Sequence, residues 1–217
     1  MKKYSFRKIS WLIVGLIILA FGIFICKKSF LGMDTFTGMN TAISNYLDIT
    51  LGDFQLILNI ALFCFIFLIN RRLIGLGSIL NMVTIGYLVD FFSFILKDIF
   101  FSIDENTFFL IRFGVFLIGF ILLCLGASLY MKVSLGVAPY DALAIIICDK
   151  LKKIPFKIAR ILTDVVCILV SVLFCGVLSH QPVGMIVGIG TICIGIATGP
   201  LIDFFNKYVS SVLIKNQ

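Results

Sequence analysis

The sequence predicts an all-α, polytopic helical membrane protein of two homologous repeats, with six full spans plus two half-depth or re-entrant helices; eight spans is the alternative. Three observations lead there. The 217 residues are 61% hydrophobic and 13% charged, with a mean hydropathy of +1.16, whereas soluble domains carry about 25% charged residues. Charge-free runs of about 15 to 20 residues recur, most of them close to the length needed to cross a hydrocarbon core of about 30 Å. One phrase also occurs twice: "GLGSILNMVTIGYLVDFF" from Gly75 to Phe92 and "GIGTICIGIATGPLIDFF" from Gly188 to Phe205.

Taken along the chain, the apolar runs cover 9–26, 54–70, 73–89, 113–131, 165–179 and 183–202. The first begins basic, yet it outruns the usual apolar core of a secretory signal and ends in "FICKK" without an A-x-A-like cleavage site, so it reads as a retained span. Between the first and second runs, Leu31 to Leu47 carries Asp34, Thr35, Thr37, Asn40, Thr41, Ser44 and Asn45, which is too polar for a lipid-facing helix. Its counterpart, Pro139 to Leu151, has only a short apolar stretch between Asp141 and Asp149. Such segments enter part-way or pack against protein.

The repeat runs through both halves, 1–106 and 107–217. Gly15, Gly22, Lys28, Leu31 and Gly32 correspond at one offset to Gly119, Gly126, Lys132, Leu135 and Gly136. Gln55 and Asn59 fall opposite Arg160 and Asp164, and Gly75, Gly77, Gly86 and Asp90 fall opposite Gly188, Gly190, Gly199 and Asp203. With three crossings in each half, the second half is inverted. Most of the 18 Lys and Arg then lie inside, among them Lys2, Lys3, Arg7, Lys8, Arg71, Arg72, Lys150, Lys152, Lys153, Lys157 and Arg160, while Asp98, Asp104 and Glu105 lie outside. The expectation is a multi-pass protein of the inner (cytoplasmic) membrane with a cytoplasmic N-terminus. The spans beginning at Gly75 and Gly188 are expected near the pseudo-twofold axis, with Asp90 and Asp203 in equivalent environments.

The motifs "SLGVAPYDALAIII" and "GIGTICIGIATGPLIDFF" resemble the YczE/YitT-like group of bacterial integral membrane proteins. Gly136, Tyr140 and Asp141 stand at the first motif, with Ala138 at its second glycine; Gly188, Gly190, Thr191, Gly199, Ile202 and Asp203 stand at the second. The resemblance implies a multi-pass inner-membrane protein and carries over no catalytic or binding residue.

Candidates for a substrate or ion pathway are Asn40, Gln55, Asn59, Asp141, Arg160, Asp164, Asp90 and Asp203. Arg160 and Asp164, four apart, share a helix face, and a polar cluster where two halves meet is the usual place for a transporter's site. The competing reading for this pair is a buried ion pair that fixes helix orientation. For Asp90 and Asp203, near the ends of their runs, it is an interfacial anchor; for Asp34 and Asp141 it is helix N-capping. Glycine pairs such as Gly184/Gly188 and Gly195/Gly199 suit close helix packing.

Basic residues divided among the loops exclude a nucleic-acid interface. The seven cysteines lack C-x-x-C spacing, and His180, before Pro182, is the only histidine, so no metal site, cofactor site or enzyme signature is expected. The expected contacts are the lipid bilayer and either a small polar substrate or ion, for a permease-like protein, or a membrane protein partner, for a non-transporting accessory protein.

Overall fold

The computed structural model describes residues 6–96, 107–151, 154, 156–178 and 187–215. Lys2, Lys3, Asp98, Asp104, Glu105, Lys152, Lys153, His180, Pro182 and Gly184, discussed above, lie outside the described residues. In chain order the helices are α1 (Phe6–Lys28), α2 (Thr35–Leu47), α3 (Leu51–Ile69), α4 (Leu76–Ile95), α5 (Phe109–Lys132), α6 (Pro139–Leu151), α7 (Phe156–Val172) and α8 (Ile189–Phe205). A π-helical turn, Leu173–Leu178, extends α7; another, Asn206–Ser210, followed by Ser211–Lys215, extends α8. Among the described residues there is no strand. Helices are what lipid allows, because every backbone N–H and C=O must be satisfied within its own segment.

Six of the described helices are long and apolar enough to cross a membrane. The other two, α2 and α6, have 13 residues each. They are about 20 Å long, short of the roughly 30 Å hydrocarbon core. Local chemistry sets their bounds. Asp34 caps α2 by accepting the Thr37 N–H at 2.9 Å, and Asp48 ends it in the left-handed conformation. Pro139 opens α6 at a first-turn position where its missing N–H costs nothing.

The centre of the bundle is the pairing of α1 with α5. A Cβ added at Gly22 would lie 2.8 Å from Gly119 O, one at Gly15 2.8 Å from Tyr130 N, and one at Gly119 2.8 Å from Cys26 N. The start of α1 therefore lies against the end of α5, and the pair is antiparallel. With eight spans, α5 would be the fifth crossing and would run parallel to the first; with six it is the fourth and runs opposite. The geometry matches six. Leu12, Leu16, Ala20, Phe116, Leu123, Cys124 and Tyr130 fill the buried core around this pair. Ile57, Leu169 and Ile192 turn outward as lipid-facing surface.

The remaining spans are arranged around that axis: α4 packs on α1 and α3, and α8 on α5 and α7. The spans beginning at Gly75 and Gly188, expected near the axis, pack against α1 and α5 respectively, and the central pairing itself is α1 with α5. Gly77 and Gly190 do make close backbone approaches, but to the turns before the short helices. Gly77 donates its N–H to Leu135 O at 2.9 Å, and Gly190 donates to Leu31 O at 2.8 Å. Gly32 (φ 114°) and Gly136 (φ 115°) adopt a backbone that L side chains avoid, one in each of those turns. A Cβ at Gly136 would lie 2.6 Å from Gly75 N, and one at Gly32 2.8 Å from Gly188 N. The beginnings of α4 and α8 are fixed alike: Gly75 N–H donates to Ser78 Oγ at 3.2 Å, and Gly188 N–H to Thr191 Oγ1 at 3.3 Å.

Candidate functional site

The first turns of α2 and α6 meet at the centre, and α7 closes over them. Phe36 of α2 stacks on Tyr140 of α6 with ring centroids 4.5 Å apart. Arg160 of α7 places its guanidinium carbon 4.3 Å over the Tyr140 ring. The guanidinium forms an ion pair with Asp141 through Nη1, and its Nε stands 3.5 Å from Asp164 Oδ2, one turn along the same helix. Asp164, 2% exposed, accepts a hydrogen bond from Tyr140 OH at 2.6 Å and another from Thr35 Oγ1. Tyr130 of α5 donates its hydroxyl to the second oxygen of Asp141. One cation thus holds two carboxylates, and two tyrosines and a threonine satisfy most of what remains. A buried charge persists in lipid only with such partners.

Beside this network lies a cavity of about 80 Å³ to which each of α1 to α8 contributes. Leu19, Ile23, Leu123 and Ala127, from the axial pair α1 and α5, form hydrocarbon wall, and Ile85 and Ile202 extend it. The polar wall comes from Asp34 and Thr37, from Gln55 and Asn59 of α3, from Asn81 of α4, and from Tyr130, Asp141, Arg160 and Thr198. Gln55, Asn59 and Asn81 are only 5%, 3% and 7% exposed. Among the described residues, no side-chain hydrogen bond ties these three carboxamides to the protein. Asp34 Oδ1, also buried, has no partner either.

Of the eight residues singled out in the sequence, Gln55, Asn59, Asp141 and Arg160 line the cavity together, and Asp164 braces Arg160 and Tyr140 from behind. Asn40 is fully buried in α2, where its Nδ2 donates to Phe36 O at 2.8 Å and its Oδ1 has no partner; it is not in the cavity wall. Asp90 and Asp203 are not brought to the cavity, and their surroundings differ. Asp90 is half-buried, with Oδ2 in the space that the missing side chain of Gly52 leaves, whereas Asp203 is exposed. Three wall residues, Asn81, Tyr130 and Thr198, were not expected. Asn81 left one signal, a carboxamide in the middle of an otherwise apolar run. Tyr130 and Thr198 left none, since each sits among residues ordinary for a span.

The fold and this site define a polytopic helical membrane protein with a partly polar pocket at the centre of its bundle. The chain belongs to a family of unknown function (DUF6198), whose profile matches residues 6–207. It is similar to the uncharacterized membrane protein YczE of Bacillus subtilis (strain 168), 30% identical over 151 residues that cover 69% of this chain and 67% of the relative. Similarity extends to the uncharacterized protein YyaS of the same strain, 29% identical over 199 residues, 90% of each chain. An uncharacterized protein of Haemophilus influenzae is 27% identical over 210 residues, 95% of this chain and 86% of its own. The resemblance drawn from the two motifs therefore holds for a YczE-like family of membrane proteins. No solved structure matches the chain.

Proposed function

We propose that this protein is a permease-like carrier of the inner (cytoplasmic) membrane that receives a small polar molecule or ion in the central cavity. The observation that carries the reading is the set of buried carboxamides, Gln55, Asn59 and Asn81, lining that cavity without protein partners. Their amides open on the cavity, where a polar group left without water or solute costs roughly 1–3 kcal/mol. A protein that only braced a neighbour in the membrane would gain stability by replacing these side chains with leucine; a protein that binds a solute needs them.

The reading includes two inverted repeats. Phe36 and Tyr140, equivalent positions in the two halves, stack on each other, as residues on a twofold axis must. The pairs Gly15 with Gly126 and Gly22 with Gly119 exchange under the same operation, as do the Leu31 and Leu135 carbonyl bonds. Inverted halves with a site at their interface are a common build of secondary transporters. The N-terminus is cytoplasmic in this arrangement, with Arg71 on the same side.

Binding to the folded state raises thermal stability by mass action. Purified protein is therefore screened by thermal shift against polar metabolites and ions. The expected result is a saturable rise with at least one of them that Asn59→Leu abolishes; a panel without effect, together with an Asn59→Leu protein more stable than wild type, would favour the accessory reading.

A further inference from the structure

Charge around the cavity is unbalanced. Asp34, Asp141 and Asp164 stand against one cation, Arg160, and no lysine lines the wall. The guanidinium pairs with Asp141 and Asp164, although its buried Nε makes no hydrogen bond, and the carboxylate oxygens are further engaged by Tyr130, Tyr140 and Thr35. Asp34 is different. Its Oδ2 accepts the Thr37 N–H, but its Oδ1 is buried at the cavity without a partner. This oxygen has no donor and Asp34 forms no ion pair within 4 Å among the described residues, which in a low-dielectric interior is costly.

The three carboxamides are an independent observation. Gln55, Asn59 and Asn81 are more than nine-tenths buried and line the same cavity, and their amide oxygens are acceptors that no donor among the described residues engages. The opposite wall is hydrocarbon from Leu19, Ile23 and Leu123. That side offers a metal cation no oxygen ligand but suits the carbons of an organic cation. The volume of about 80 Å³ is roughly half the 150 Å³ cavity that takes benzene. Resting on the reading above that this cavity holds a solute, we propose that the solute is a small organic monocation, an ammonium group with a few carbons. Its N–H or N–CH₃ pole faces Asp34 and the carboxamides; its hydrocarbon lies against α1 and α5.

The test is thermal-shift titration of the purified full chain at constant ionic strength. The ligands are methylammonium, ethylammonium and tetramethylammonium chloride, compared with sodium chloride, neutral acetamide and sodium acetate. The expected result is saturable stabilisation by at least one ammonium ion and none by the other three. Asp34→Asn, which keeps a good N-cap for α2, weakens that affinity by roughly tenfold or more. Stabilisation by acetamide or acetate without any ammonium ion would overturn the cation and leave the solute-binding reading standing. Equal ammonium affinity in Asp34→Asn would also overturn it. If that variant does not fold, the wild-type selectivity series decides alone, and no response to any ammonium ion overturns the proposal.

Discussion

Replacing Gly126 by alanine adds one methyl group where α1 and α5 touch backbone to backbone. The new Cβ would lie 2.7 Å from Leu19 Cα and 2.8 Å from Gly15 O, against an ordinary carbon contact of about 3.5–4.0 Å. Both obstructing atoms are main chain, so no side chain can swing aside. The axial pair must separate by about 1 Å, loosening the core on both sides. Overpacking of this kind costs about 1–3 kcal/mol, and the rigid surroundings place it at the upper end. For a chain of this length 1 kcal/mol corresponds to roughly 2–4 °C in Tm, so a fall of about 6–12 °C is expected in detergent. Gly114→Ala is the control: it lies in the same helix with nothing within 4 Å of the added Cβ. It should be neutral or slightly stabilising, since alanine favours helix over glycine by up to about 1 kcal/mol. Equal Tm values for Gly126→Ala and wild type would refute the close antiparallel contact and the six-span arrangement derived from it.

Three further outcomes follow from the same geometry. Arg160→Gln removes the partner of two carboxylates and should destabilise by about 3 kcal/mol or more. Asp164→Asn leaves Arg160 paired with Asp141 and keeps an oxygen for Tyr140, so its melting temperature should fall less. Gly32→Ala and Gly136→Ala should each cost at least about 2 kcal/mol from backbone strain, and the two losses should be similar because their surroundings match; a large inequality in denaturation would count against equivalent halves. Single cysteines at Arg71 and Ile49, both exposed, should label from the cytoplasmic and the outer side respectively, and labelling of Arg71→Cys from outside would reverse the orientation.

Much of the architecture is written in composition and spacing. Charge-free runs mark the spans because lipid excludes charge, and the polar stretch ending at Leu47 marks α2 for the same reason. The stretch expected as a half-depth segment at Pro139 to Leu151 is α6. What sequence could not decide was which glycines meet. Gly15 and Gly22 look no different from Gly75 and Gly77 along the chain, yet the first pair lies in the axis and the second grips a turn of the other half. The same limit applies to the site. The four-residue spacing of Arg160 and Asp164 was visible, but the ion pair with Asp141, from another helix, depends on how α6 docks against α7. Asn81 belongs to the site because α4 turns it, with Ile85 one helical turn on, towards the cavity.

The central claim, that the interior holds a polar cavity able to receive a solute, is tested most directly by thiol accessibility. Gln55→Cys, Asn59→Cys and Asn81→Cys, each in a background without the seven native cysteines, are treated in intact membranes with a small membrane-impermeant methanethiosulfonate. Ile57→Cys, on the outward face of the same helix as Gln55 and 60% exposed to the lipid side, is the comparison. The account predicts reaction at the three cavity positions and none at Ile57→Cys. Reaction at none of the three, with Ile57→Cys equally silent, would mean that water never reaches the bundle centre, and the carrier reading would be contradicted.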